Sequence, residues 1–340
     1  MKNNWLTYCF CCFALAFTGC DLVHYFPDDD PVNPYLAEIT VTVDIDMQLS
    51  SDTIYQTYAS MLEGDYDIRY IVDLFEVDNI GNTPKQANRV KRIVKTESNI
   101  VSNGLYHIQD TLRLPLNKYL IMVWMDFVDK GSTDDKYYNT DDLQNIAIIM
   151  QNGQYTGYNT TKDAFTAKVD MDLTPYAGQR FVHYEALAEV IRPFAIYRII
   201  TTDIQQYMTY HQTLSYSSIK PATTNLAYNL FFPLGYNAFL FKPDNYRAGI
   251  GYRWNIIETL PEQEAILASD YVFVEDDTFY TVDFEVFSAE NKHINTVRDV
   301  RINLKRNHLT ILRDEFLTKD LDDGNVGIDD RFSDEIIVRF

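Results

Sequence analysis

The chain has 340 residues, with 29 Lys and Arg against 49 Asp and Glu, a formal net charge of −20. A polyanion of this kind repels phosphate backbones and anionic lipid heads, so nucleic-acid binding and electrostatic attachment to a membrane are disfavoured. With 46% hydrophobic residues it can bury a sizeable core, and its length suits two domains.

All four cysteines, Cys9, Cys11, Cys12 and Cys20, lie within the first twenty residues. Lys2 is the only charge before Asp21, and Trp5 to Phe17 is an apolar run. As a helix that run would span roughly 20 Å, too short for a hydrocarbon core of ~30 Å. A positive charge, a short apolar run and small residues before a boundary describe a secretory signal peptide over residues 1–19. Phe17-Thr18-Gly19-Cys20 resembles a bacterial lipobox with Phe in the usual Leu position, cleaved between Gly19 and Cys20. The alternative is an ordinary signal peptide or a buried helix. On the lipobox reading Cys20 carries a covalent diacylglycerol, no other cofactor is expected, and acyl chains supply the membrane attachment. The other cysteines leave with the signal peptide, so no disulfide stabilises the exported chain. Residues 20–35 form an acidic linker: Asp28, Asp29 and Asp30 with Pro27, Pro31 and Pro34 neither bury apolar area nor sustain a helix. This segment is either a solvated tether or a surface-export address like that of some Gram-negative lipoproteins.

Period-two alternation dominates the remainder. Ile39, Val41, Val43, Ile45 and Met47 alternate with Thr40, Thr42, Asp44 and Asp46, a first strand with one buried face. Ser51 to Gly64 fits a short helix through Ile54, Tyr58, Met61 and Leu62. A second one-faced strand runs through Tyr66, Ile68, Tyr70, Val72 and Leu74. Leu120 to Phe127 is apolar on both sides, a central strand covered on both faces, and Thr140 to Leu143 could open a turn of helix. Later strands follow Ala248 to Ile256 and Tyr280 to Val286, with Val272 to Tyr280 reading as a hairpin. Many short strands with few, short helical pieces indicate an all-β chain of two sandwiches. The boundary falls at Thr174–Gln179, giving an N-terminal β-sandwich over 36–178 and a C-terminal one over 185–340. No short-period repeat is visible. The ending Ile336, Val338, Phe340 resembles that of a membrane barrel, but helical pieces and charges inside candidate spans (Asp73, Asp126, Arg198) oppose one.

Chemistry is sparse. The six histidines show no metal-ligand spacing, and there is no GxSxG elbow, P-loop or GxGxxG. Asp320 to Asn325 faintly suggests a calcium loop, but Arg331 stands where the bidentate Glu belongs. The residues argue for no catalytic group, metal or small-molecule substrate.

Four segments resemble the fimbrillin-like surface lipoproteins of Gram-negative gut and oral bacteria. They are Trp124–Asp129 with Tyr137–Thr140; Lys162–Phe165; Arg192–Ala195 with Thr201–Asp203; and Leu304–Thr310. The resemblance implies two transthyretin-like β-sandwich domains, with the Arg192-Pro193 strand opening the second, export as a lipoprotein and a place in or near fimbriae that assemble by strand exchange between subunits. In that family, stalk subunits lose their first strand to a protease that cuts after a basic residue. Here no Lys or Arg occurs from Asp21 to Asp67, and the first is Arg69, inside the second strand. The first strand (Ile39, Val41, Val43, Ile45) is therefore expected to be retained, which fits an anchor, an accessory subunit or a stand-alone protein. The C-terminal strand (Ile336, Val338, Phe340) is a candidate donor to a partner subunit or an intramolecular edge strand. Pro193 should sit at a bulge or edge, and Arg192 should pair with a carboxylate at the domain junction. A different class, a glycan-binding lipoprotein of a nutrient-uptake system, would use exposed aromatics such as Tyr155–Tyr158 or Tyr207–Tyr216.

Each buried CH₂ of an acyl chain contributes about 0.8 kcal/mol, so two or three chains anchor a protein stably. Cys20→Ala should therefore move the protein from the membrane fraction to the soluble one. Retention of that variant in carbonate-washed membranes would contradict the lipid anchor.

Overall fold

A computed structural model describes residues 33–46, 65–97, 105–211, 214, 216–259, 264–318 and 334–339. Gly19, Cys20, the helix expected at Ser51–Gly64, the acidic turn at Asp320 and the terminal Phe340 lie outside them. The described chain is mostly β, in five sheets, and no helix in it is long and apolar enough to cross a membrane.

The first sheet runs in the order β4 (Leu105–Leu114), β1 (Ala37–Asp46), β9 (His183–Glu189). It faces the second, ordered β3 (Arg89–Glu97), β2 (Tyr66–Glu76), β5 (Lys118–Asp129), β8 (Ala164–Asp172). Between them Ile39, Val41 and Val43 meet Ile68, Tyr70, Val72, Ile121 and Val123 in one hydrophobic core. The alternating pattern dictates this, because period two places one side chain in two on the inner face.

The third sheet orders β15 (Ile257–Thr259), β16 (Glu264–Phe273), β10 (Phe194–Thr201), β19 (His308–Asp314), β20 (Asp334–Arg339). The fourth orders β14 (Gly251–Asn255), β11 (Pro221–Tyr228), β17 (Asp277–Ser288), β18 (His293–Lys305). A second core fills the space between them, with Ile199, Leu267, Phe284, Val300 and Ile302 among its residues.

The two pairs of sheets repeat one topology. In each, the opening strand lies between an antiparallel partner and a parallel later one: β1 between β4 and β9, β10 between β16 and β19. The facing sheets match in turn, β3-β2-β5-β8 against β14-β11-β17-β18. Each half also carries an extra hairpin. The first holds β6 (Tyr138–Asn139) and β7 (Ile146–Ile148), the second β12 (Phe232–Asn237) and β13 (Lys242–Arg247). These hairpins join into one bridging sheet through Ala147 opposite Gly235. A Cβ on Gly235 would stand 2.6 Å from the Ile146 carbonyl oxygen, so this close approach requires glycine.

A third core lies between the halves. Ile71, Phe75, Leu120, Met122 and Trp124 leave the outer face of the second sheet to meet Tyr138, Phe194, Ile196, Tyr236, Tyr271 and Phe273. Leu120 to Phe127 is thus covered on both faces, as its continuous apolarity predicts. The Tyr66 strand departs from its pattern: β2 is buried on both faces, because its second face carries Ile71 and Phe75 among paired charges.

Other elements also depart from the sequence pattern. β16 and β17 belong to different sheets, so Glu275 to Asp277 is a corner between layers and not a hairpin turn. Alternation cannot distinguish the two, since both connect strands with an inward apolar face. Ala248 to Ile256 shortens to β14 behind a turn at Gly249, whose φ is +72°. Asp142 to Asn145 closes a hydrogen-bonded turn of 2.9 Å with no helix following. Short helical pieces do occur, as α1 (Ile204–Tyr210) and as 3₁₀ turns at Gln86–Asn88, Thr160–Lys162 and Thr174–Tyr176. Finally, β9 starts just before the stretch assigned to the second half and runs into it, yet it pairs with β1, and Ala186 and Ala188 enter the first core. The chain changes sandwich at Val190–Pro193 and not at Thr174–Gln179.

Phe273 is buried in the third core, its ring 4.3 Å from that of Phe194 and 5.2 Å from that of Tyr236. Phe273→Ala should cost about 3–5 kcal/mol, read as a lowered urea midpoint at unchanged slope. A loss below about 1 kcal/mol would show that the halves are not packed together there.

Candidate assembly site

The first strand is an interior strand. β1 pairs antiparallel with β4 (Ile39 opposite Leu112) and parallel with β9 (Ile39 opposite Tyr184), so its backbone is engaged on both sides. Ile39, Val41 and Val43 are 0%, 2% and 1% exposed. The Ile45 side chain is outside the described residues, though its backbone pairs with Tyr106. Taking β1 away would uncover the apolar groove that Val41 and Val43 share with Tyr70, Val72 and Ile93, beside the Lys95–Asp110 ion pair of 3.0 Å. At the other end of the chain, β20 lies antiparallel on β19, with Ile336 opposite Ile311 and Val338 opposite Leu309. Ile336 and Val338 are thus part of an edge strand within this chain.

Arg69, the first Lys or Arg after Lys2, is 2% exposed. Its guanidinium donates to both Asp126 carboxylate oxygens, at 2.9 and 2.7 Å, and to Asp135 at 2.8 Å. Trp124 donates its indole N–H to Asp126 as well, at 3.2 Å. Cross-strand register explains the pair, since Arg69 of β2 stands directly opposite Asp126 of β5.

Arg192 occupies the crossing between the sandwiches, as predicted. It donates from Nε to Asp163 at 2.9 Å and from Nη1 to the Asn307 side chain at 2.8 Å, and lies over the Phe165 ring. Burial pushes the Asp163 carboxyl up and the Arg192 guanidinium pulls it back. Pro193 sits at neither a bulge nor an edge: it directly precedes β10, a strand paired on both sides, and its carbonyl accepts from Val274 at 3.1 Å. Ahead of the ladder its missing N–H removes no ladder bond.

The aromatics proposed for sugar stacking are largely committed elsewhere. Tyr155 is buried and donates to Asp270 at 2.8 Å, Tyr158 stacks on Tyr271, and Tyr207 is buried on α1. Sequence reasoning missed the cluster around Asp270. Tyr228 also donates to Asp270 at 2.8 Å, Tyr197 bridges Tyr228 and Tyr252 at 2.9 Å each, and Tyr252 donates to the Ser269 carbonyl. Lys162 donates to the Gly157 carbonyl beneath Tyr155. Burial pushes the Asp270 carboxyl up to about 6 and the Lys162 ammonium down. The only sequence signal was Asp270 inside an apolar stretch of β16. The network is closed to solvent and locks the second core.

Residues 32–339 match a family of unknown function, DUF6562. The chain belongs to that family. No curated protein matches it. Solved structures similar to this DUF6562 chain include a candidate adhesin from Bacteroides ovatus, at 10% identity over 77% of this chain and 78% of that one, with a TM-score of 0.45. Another is the fimbrial anchor protein Mfa2 from Porphyromonas gingivalis (9%, 82% and 90%, 0.44). A third is described as candidate polysaccharide-binding proteins from Bacteroides thetaiotaomicron (11%, 83% and 93%, 0.44). At these distances none says what the DUF6562 chain binds.

Folding raises the Asp270 pKa from 3.8 to about 6, so the folded state holds that proton more tightly. Its contribution to stability is full below about pH 4 and is lost as pH rises to about 6. Urea midpoints of the wild type relative to Asp270→Asn should therefore fall between pH 4 and 6 and level off above. A flat difference would mean the acid does not titrate in that window.

Proposed function

We propose that the chain is a non-enzymatic, lipid-anchored surface protein of two transthyretin-like β-sandwiches, acting as a fimbrial anchor or accessory subunit that keeps its first strand. The observation that carries this reading is the state of β1. A donor-strand stalk must expose a groove, which requires cleavage behind the first strand and its removal. Here β1 is hydrogen-bonded on both sides, with its inward side chains buried. The nearest basic residue after it, Arg69, lies inside β2 with its guanidinium held by Asp126 and Asp135. A protease specific for basic residues has no target between Asp21 and Asp67. Cys20 supplies the covalent lipid and with it the outer-membrane, surface-facing location. A net charge of −21 after loss of Lys2 disfavours nucleic acid as a partner and leaves other fimbrial subunits, met by backbone pairing at a sheet edge.

The pairing of β20 with β19 supports an intramolecular role for Ile336 and Val338. The glycan-binding alternative loses its Tyr155–Tyr158 platform, because Tyr155 is buried and Tyr158 is stacked on Tyr271.

Amino-terminal sequencing and intact mass of the surface protein test the reading. A blocked, acylated Cys20 is expected. A free amino terminus beyond Met47 would show that the first strand is removed and would overturn it.

A further inference from the structure

The end of the first sandwich where the described chain begins carries an aromatic surface. Phe181 is 74% exposed, and Tyr35 is 43% exposed. Phe181 adopts a φ of +59°, a conformation that bulky residues avoid. Its surroundings impose that conformation: the Phe181 N–H donates to the Pro34 carbonyl at 2.8 Å, and the next carbonyl, of Val182, accepts from Glu38 at 2.8 Å. Arg180 clamps the other aromatic, donating to the Tyr35 hydroxyl at 2.7 Å with its guanidinium 5.1 Å from the ring centre. Half-buried Tyr176 lies in the same loop, five residues before Phe181. An outward phenylalanine held at a strained backbone, beside an arginine-clamped tyrosine, is a built surface and not a scattered exposed side chain.

Two observations say what covers it. The chain that leaves at Asn33 runs back across twelve intervening residues to Cys20, a reach of at most about 45 Å. This end of the molecule is therefore the one closest along the chain to the acyl anchor. Charges at this end are matched as well: Arg113 pairs with Glu38 at 3.2 Å, and Lys118 stands opposite Asp172. Tyr and Phe beside Arg suit the headgroup layer of a bilayer, where one side of each ring is apolar and the other wet.

We propose that Tyr35, Tyr176 and Phe181, with Arg180, form a foot that seats the first sandwich on the bilayer surface beside the acylated Cys20. The inference rests on the lipoprotein reading and goes beyond it. The tether alone would let the protein stand off the membrane, whereas the foot holds it upright with its second sandwich outward.

The test uses the full acylated chain reconstituted in phosphatidylcholine vesicles whose acyl chains carry bromine, a contact quencher of tryptophan. Phe181→Trp should lose at least half its added fluorescence relative to vesicles of ordinary lipid, and Tyr35→Trp should behave alike if the first variant folds poorly. Tyr210→Trp, on α1 beyond β9 and β10, should be unaffected. Flotation of the vesicles reports the anchor separately. A protein that floats while Phe181→Trp and Tyr35→Trp are quenched no more than Tyr210→Trp overturns the foot and leaves the anchor standing. Equal strong quenching of all three variants means the molecule lies flat, which also overturns it. A protein that does not float overturns both readings.

Discussion

Arg69 and Asp126 face each other across β2 and β5, on the side of the sheet that the second half of the chain covers. A sheet buried on both faces has no solvent to relieve a charge, so each ionised group on it must be matched within the protein. Arg69 spends its donors on Asp126, Asp135 and the Thr133 carbonyl. Asp73, on the same face, meets Arg92 at 3.1 Å, and Arg92 reaches on to the Asp141 carbonyl. These charges therefore do two things at once. They neutralise a buried sheet, and they fix the loop from Thr133 to Asp141 that leads into the bridging sheet. The third core can form only once that loop is in place.

The same requirement explains why the two sandwiches do not behave as beads on a string. Arg192 and Asp163 join the crossing to the first sandwich, while Asn307 brings in the loop between β18 and β19. The bridging sheet takes one hairpin from each half. Connections of this kind bury a large apolar junction, and such a junction suppresses relative motion of the two units.

Much of the strand content was legible in the sequence, because alternation reports which side chains face a core. β1, β5 and β17 follow their patterns closely, and the place of Arg192 at the crossing came from the family resemblance. What alternation does not report is the strand's neighbour. The corner between β16 and β17 reads like a hairpin for that reason, and β9 reads like the start of a second domain. The topological repeat was invisible for a related cause: backbone pairing is the same whatever the side chains, so equivalent strands need share no residues. Burial on a second face was legible in β5, where it is apolar, and hidden in β2, where it is written in paired charges. The tyrosines around Asp270 were hidden likewise, since a tyrosine that stacks on a ligand and one that satisfies a buried acid look alike in sequence.

The bridging sheet also sets the order in which the molecule can assemble. Ala147 meets its partner Gly235 only after much of the second half exists. A chain made from its amino terminus presents the β6–β7 hairpin with its outer edge open, and the outer face of the second sheet bare. Such long-range closures are slow, and bare strand edges aggregate. The first core, built from residues 37–190, can close alone, whereas the bridging sheet and the third core wait for the second half. That edge therefore stays open from the synthesis of β7 until that of β12.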